Sequence, residues 1–309
     1  MVIQNNSRGS SENGEAMNAT QNILLILILV GFVLAEFITG KSKKFKASKG
    51  DNTLDLLGFG LLVALTQPLI FFIVSKIGIA FMPQYQNILI DSPWYFVLAL
   101  LLVGDDMMQY WWHRLSHTSL LWPLHRAHHT PHYMSVRIMY RNNFFYYLLM
   151  PGIWISGVLV YLGAANFYLG YIVIKLAVIA GAHAAVKWDE PLYKVSALKP
   201  IMWLIQRIIS TPATHWAHHA LSNTDGIGHY KGNFGNLLFF WDVLFGSAHI
   251  TQQYPKEVGL IDDRLFGKEK WWVEYLYPLF QSKRQHSAMA SGGEVYSNLD
   301  AEREILKSS

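Results

Sequence analysis

The stretch Asp105–His132, DDMMQYWWHRLSHTSLLWPLHRAHHTPH, decides how the chain is read. It holds His113, His117, His125, His128, His129 and His132. His113 and His117 stand four apart, and His125, His128 and His129 fall at i, i+3 and i+4. Side chains at these spacings share a face of a helix. The second pattern returns as His215, His218 and His219 in THWAHH. Neutral imidazole is the commonest metal ligand and suits iron, zinc and copper. One ion takes about four to six ligands. Eight histidines in three sets are too many for one ion and fit two.

Working outward, the composition points to lipid. Hydrophobic residues make up 52% of the 309 and charged residues 15%, where a soluble domain carries about 25% charged. Eleven Trp, sixteen Tyr and seventeen Phe supply interfacial belts. The net charge of +4 is small and forms no nucleic-acid patch. There is no cysteine, which excludes disulfides, thiolate sites and Cys nucleophiles. Imidazole and oxygen must hold any metal.

Ile23 to Ile38 is apolar and long enough for a first span. Glu36, near its end, is expected to reach water. Lys41, Lys43, Lys44, Lys46 and Lys49 follow, and the positive-inside rule makes that loop cytoplasmic. Leu54 to Ile79, interrupted by Pro68, is the second span, and Trp94 to Val103 begins the third. Phe144 to Leu162 and Phe167 to Val186 form a helical hairpin turning at residues 163–166. This order brings His113, His117 and His183 to the cytoplasmic side. Lys175 lies mid-run, where an ionisable group is expensive. Either it faces a cavity or the hairpin does not cross fully. WLIQRII at 203–209 reads as a helix lying on the membrane surface.

The expected fold is all-α: an integral-membrane bundle of about four to five apolar helices under a cytosolic helical cap carrying the histidines. Residues 1–20 read as a disordered tail and 21–90 as N-terminal transmembrane helices. Residues 91–250 form the catalytic domain and 251–309 an extension with a polar, frayed tail.

The three boxes, HxxxH at 113–117 and HxxHH at 125–129 and 215–219, resemble those of the fatty acid hydroxylase / sterol desaturase superfamily. DDMMQYWWHRLSH and NFGNLLFFWDVLFGS are similar to its segments around the first box and after the last. The resemblance covers roughly residues 105–247 and implies two irons, O2, and electrons from an outside carrier. That donor would be a cytochrome b5-like protein or ferredoxin served by an NAD(P)H reductase. It implies metal ligation by His113, His117, His125, His128, His129, His215, His218 and His219. His183 matches an additional ligand position, although Ala185 stands where an Asn is usual. Lys187 replaces a further ligand and argues against the sphingolipid-type 2-hydroxylase branch.

Around these ligands, Asp106, His132, His229, Asn233 and Asp242 are candidates for a supporting shell. Asp106 and Asp242 are expected to receive imidazole N–H groups, or else to cap a helix or pair with Arg114. His132 and His229 read as hydrogen-bonding or substrate-contacting rather than ligating. His249 and His286 read as structural or solvent-facing, and Asn233 and Gly235 as shaping a turn. Arg114 and Arg126 are expected to meet lipid phosphate, and Trp111, Trp112 and Trp122 to anchor the interface.

Metal beside a lipid slot points to oxidation of a C–H bond in a sterol, acyl chain or related lipid. Zinc has no redox chemistry, so iron fits better. The rivals are a histidine-rich metal transporter and a zinc-dependent membrane hydrolase. Transporter sites sit near the bilayer midplane on broken helices, whereas most of these histidines lie outside the apolar runs.

Overall fold

The computed structural model describes residues 3–284 and 287–290, with backbone alone for 3–19 and 44. His286 and the tail beyond 290 lie outside the described residues. Among the described residues there are helices and isolated bridges but no strand.

Helix α1 runs Ile3–Ile38. The stretch expected to be a disordered tail is therefore helical from Ile3, continuous with the apolar run, despite its Ser, Asn and Gly content. Helix α2 (Lys49–Leu61) starts at a capping box: the Ser48 hydroxyl accepts from the Asp51 N–H and the Asp51 carboxylate from the Ser48 N–H. Such a reciprocal pair satisfies two of the orphan donors at a helix start. A π-helical stretch at Leu62–Thr66 leads without a break into α3 (Gln67–Phe81). Pro68 therefore does not interrupt the span, because the π turn ahead of it absorbs the missing N–H. Helix α4 (Trp94–Leu101) joins α5 (Met108–Ser116) through a second π stretch that carries Asp105 and Asp106.

Short helices α6 (Trp122–His129) and α7 (Phe144–Leu148) follow, then α8 (Pro151–Leu159) and α9 (Ala165–His183). Gly163, at φ +109°, makes the turn between α8 and α9, a conformation that glycine reaches without a Cβ penalty. Three described helical segments are long and apolar enough to cross a membrane: Thr20–Ile38, Lys49–Phe81, and Pro151–His183, which contains that turn. Helix α1 packs along α9, and α3 along α8.

The bundle pairs its charges internally. Lys175 on α9 meets Asp105, and the Tyr171 hydroxyl donates to the same carboxylate at 2.7 Å. The mid-run lysine is therefore satisfied by an acid on the neighbouring π stretch, as an intramembrane charge must be. Glu36 does not reach water. It is buried and accepts from the Ser135 hydroxyl at 2.6 Å and from the N–H groups of Val136 at 3.0 Å and Ala185 at 2.9 Å.

The cap contains α10 (Glu190–Tyr193), α11 (Lys199–Ile208), α12 (Pro212–His218), α13 (Phe240–Leu244), α14 (Ile261–Phe266) and α15 (Trp271–Leu276). Ile201, Trp203, Leu204 and Ile208 of α11 are exposed while Met202 and Gln206 are buried. This apolar outer face is what the surface-helix expectation requires.

Candidate metal centre

Helix α5 projects His113 and ends at His117. Helix α6, opened by Pro123, carries His125, His128 and His129. Helix α12 begins at a capping box between Thr211 and Thr214 and carries His215 and His218, with His219 at its end. His183 closes α9. These three cap elements and one spanning helix meet at a single place.

There the nine rings divide into two groups. His113, His117, His125, His129 and His218 form one; His128, His183, His215 and His219 form the other. Within each group one nitrogen per ring lies within 4.8 Å of all the others. Each HxxHH box is split. The first gives His125 and His129 to the five-ring group and His128 to the four-ring group, while the second gives His215 and His219 to the four-ring group and His218 to the five-ring group. At about 100° per residue the i+3 ring lies roughly 60° to one side of i and the i+4 ring roughly 40° to the other, so one face serves both groups and the opposing box decides which ring joins which. The two groups touch: the rings of His129 and His219 stack at 4.3 Å.

Backbone carbonyls fix the tautomers. Nδ1–H of His113 donates to Phe234 O at 2.7 Å, of His218 to Gly232 O at 2.7 Å, of His183 to Ile179 O at 2.8 Å, and of His128 to Ile138 O at 3.1 Å. A carbonyl can only accept, so Nδ1 holds the proton in each ring. His125 Nδ1 donates to Asn142 Oδ1 at 2.8 Å, and Asn142 in turn donates to the Tyr147 hydroxyl at 2.9 Å. Five Nε2 lone pairs thus face inward.

Nε2 atoms then confront one another: 3.2 Å for His125–His129, 3.3 Å for His128–His183, 2.9 Å for His183–His215 and 3.2 Å for His215–His219. Nε2 of His113, His117 and His218 is buried without any protein partner. Opposed lone pairs repel unless a cation lies between them. Metal–imidazole bonds of about 2.0–2.1 Å put neighbouring ligand nitrogens roughly 2.8–3.4 Å apart in octahedral or tetrahedral sets. The observed spacings fit. Burial pushes the His113 imidazole down to about 4 and the cap histidines at 117, 125, 128, 129, 215, 218 and 219 well below their usual value. The rings are neutral and ready to ligate.

The candidate supporting residues act less directly than expected. Asp242 receives no imidazole. It accepts from the N–H groups of Phe234 and Gly235 at 2.8 and 2.6 Å and from the Ser247 hydroxyl at 2.6 Å, fixing the loop whose carbonyl holds His113. Asp106 accepts from Trp241 Nε1 at 2.8 Å and Leu238 N–H at 3.1 Å. Neither pairs with Arg114, which donates to the Tyr110 hydroxyl. Asn233, at φ +56°, donates to Thr214 O and His249 O and shapes a turn. His132 and His229 belong to neither ring group, and His229 lies against His249. Trp122 is no interfacial anchor: it is buried against His117 and His129.

With this geometry in view, residues 98–247 match the family model described as fatty acid hydroxylase. Those residues form a fatty acid hydroxylase domain. The chain is similar to alkylglycerol monooxygenase of Danio rerio, 25% identical over 190 residues, covering 60% of this chain and 37% of that protein. It is also similar to alkylglycerol monooxygenase of Xenopus tropicalis, 26% identical over 161 residues, covering 51% and 31%. The chain thus matches about a third of the length of these curated relatives. No solved structure matches it. With its three apolar segments, this hydroxylase-domain protein is an integral membrane protein.

Part of the support for the hydroxylase domain lies outside it. Arg126, between the box histidines of α6, does not meet lipid. It is buried and bonds Glu274 at 2.5 Å, Asp262 at 2.7 Å, and Asp263. These acids sit on α14 and α15, and Arg284 pairs with Asp262 and Asp263 from the other side. Spacing gave no hint of this clamp, nor of Asn142. The one visible signal was an arginine inside a box whose histidines all point inward.

Proposed function

We propose that the chain is an O2-dependent lipid hydroxylase whose nine histidines hold two irons, one in the five-ring group and one in the four-ring group. The observation that carries this reading is the division of the rings into two adjacent sets, with Nε2 atoms opposed at 2.9–3.3 Å. When bound, iron supplies the activation of O2 that zinc does not. The protein's own work is positional. Carbonyls at Phe234, Gly232, Ile138 and Ile179 hold each Nδ1 proton away from the centre. Burial of the rings excludes water and keeps them unprotonated. The relatives' name supports a single-chain glycerol ether as substrate and oxygen insertion rather than desaturation. An external donor delivers the electrons, and the centre faces the cytoplasm, as the Lys41–Lys49 loop implies.

The test is metal analysis with an oxygen electrode. Purified protein should carry close to two irons per chain and consume O2 with an alkylglycerol and a reducing system. His215→Ala, in the four-ring group, should abolish turnover while membrane insertion persists. Zinc in place of iron, with no O2 uptake, would replace this proposal with the hydrolase reading.

A further inference from the structure

Two cavities meet at Met139 and Tyr140. The inner one, about 20 Å³, lies under His113, His125 and His128. Gln109, Asn142, Asn236 and Tyr147 complete its polar wall. All four are neutral, so a phosphate would meet no cationic side chain there. Gln109 stands one turn before His113, and its buried Oε1 has no protein partner. An unpaired buried acceptor costs about 1–3 kcal/mol and invites a hydroxyl.

The outer cavity is a groove of about 340 Å³ between α1 and α2, floored by Leu29, Val33, Leu56 and Phe59. Asn52 and Asp55, with Arg137 bound to both, form its rim. At ~1.5 Å per residue, Val33 and Leu29 lie roughly 8 and 14 Å below the end of α1. Leu56 and Phe59 lie roughly 10 and 15 Å below the start of α2 by the same rise. Asn52 and Asp55 lie roughly 5 and 9 Å below that start by the same rise, so the polar rim reaches down to the level of Val33 and Leu56, and Leu29 and Phe59 carry the apolar floor deeper. Val33 and Leu56 are exposed on that floor, which faces the bilayer.

Met139 and Tyr140 line both spaces. The Tyr140 ring stacks on Phe59 at 5.8 Å on the groove side and meets Tyr147 edge-on at 6.4 Å on the inner side. Its backbone cannot retreat, because α2 presses on it at Gly58, where a Cβ would lie 2.5 Å from Tyr140 O. Only side-chain rotation can join the two spaces, and Met is the most adaptable of core residues.

We infer that the lipid enters from the bilayer between α1 and α2 and binds head-inward. One hydroxyl of its uncharged end enters the inner cavity beside Gln109, which at about 20 Å³ takes a single water-sized group, and the rest of the lipid runs back past Tyr140 and Met139 into the groove. This inference rests on the proposed hydroxylase reading and goes further by fixing the entry route and the orientation of the substrate.

The experiment uses the iron-loaded full chain in nanodiscs with two photoprobes. Both are 1-O-alkylglycerols, one with a diazirine at the chain terminus and one with it beside the glycerol. The terminal probe should label peptides containing Leu29, Val33, Leu56 or Phe59, and the head probe those containing Gln109, Tyr140 or Tyr147. Leu56→Trp should raise KM about tenfold, equivalent to ~1.4 kcal/mol, with the iron content unchanged. Leu69→Trp, at an exposed position on α3 outside the groove, should not change KM. Reversed labelling, a terminal probe that misses the groove, or Leu56→Trp at wild-type KM would each overturn the route. Correct labelling by a protein that binds no iron would instead sink the hydroxylase reading and leave the route standing.

Discussion

The two halves of the centre are built differently. The five-ring group draws on α5, α6 and α12, and three of its rings are steadied from distant segments, by Phe234 O, Gly232 O and Asn142. The four-ring group draws on α6, α9 and α12, and His183 leans on a carbonyl of its own helix. Its Nε2 atoms already run in a chain at 2.9–3.3 Å. The difference teaches where redundancy lies. Five rings can lose one and still present four; four rings cannot.

The largest effect should come from testing that asymmetry. His183→Ala should lower iron from two per chain toward one and cut turnover by more than ~100-fold, beyond the 10–100-fold typical of merely orienting residues. His117→Ala should keep iron near two with a smaller loss. Metal counts and single-turnover rates read both. Equal loss of iron from both variants would break the comparison.

Next in size is a change that strikes both halves together. Helix α6 feeds both groups, and Arg126 ties it to Asp262, Asp263 and Glu274. Removing one partner of a buried ion cluster costs about 3–5 kcal/mol. Arg126→Ala should therefore lower the melting temperature and empty both ion sites in parallel. Selective loss of one ion would mean that the clamp serves only one half.

Acid should act on the metal-free protein with a definite sign. Burial holds the folded histidines below 6.5, with His113 near 4, so below 6.5 the unfolded chain takes up more protons. Their contribution is intact above pH 6.5 and is lost as the pH falls toward 4. Glu274 opposes this, because burial raises its carboxyl to about 7, and protonation then favours the fold as pH falls from 7 to 4.5. Asp242, also raised by burial, acts in the same sense as Glu274, but seven further histidines are lowered alongside His113, so the histidines decide. Melting in detergent should show stability falling from pH 6.5 to 4, and iron should delay the fall, since ligands bind metal unprotonated. A flat profile without metal would show that the rings do not share one dry cluster.

The sequence carried much of this, but unevenly. The box spacings put eight histidines on helices or at their ends, and His183 joined the cluster through its place at the end of an apolar run. Spacing alone could not say that His128 parts from His125 and His129, because that depends on where the opposing helix delivers His215 and His219. The long-range pairings of Lys175 with Asp105, Glu36 with Val136 and Ala185, and Arg126 with residues 262–274 were illegible for a similar reason. Each joins residues about 70 to 150 positions apart. A charge in an apolar run announces that it needs a partner, but not which one. The capping signals at Ser48 and Thr211, being local, lay open to reading.

The smallest effect worth measuring isolates one ring. Asn142 is the side-chain acceptor that orients a ligand, His125, and it is itself held by Tyr147. Asn142→Leu keeps the volume roughly constant but removes the acceptor, so the His125 ring can flip and turn N–H toward the ion. Loss of such an orienting partner costs 10–100-fold in metal affinity or activity, about 1.4–2.7 kcal/mol. Because His125 belongs to the five-ring group, the first iron should dissociate faster under chelator challenge while the second keeps its wild-type rate. In the four-ring group the known acceptors are backbone carbonyls, Ile138 O and Ile179 O, which no substitution can delete. If Asn142→Leu weakens both ions equally, the two groups are one coupled cluster rather than two sites side by side.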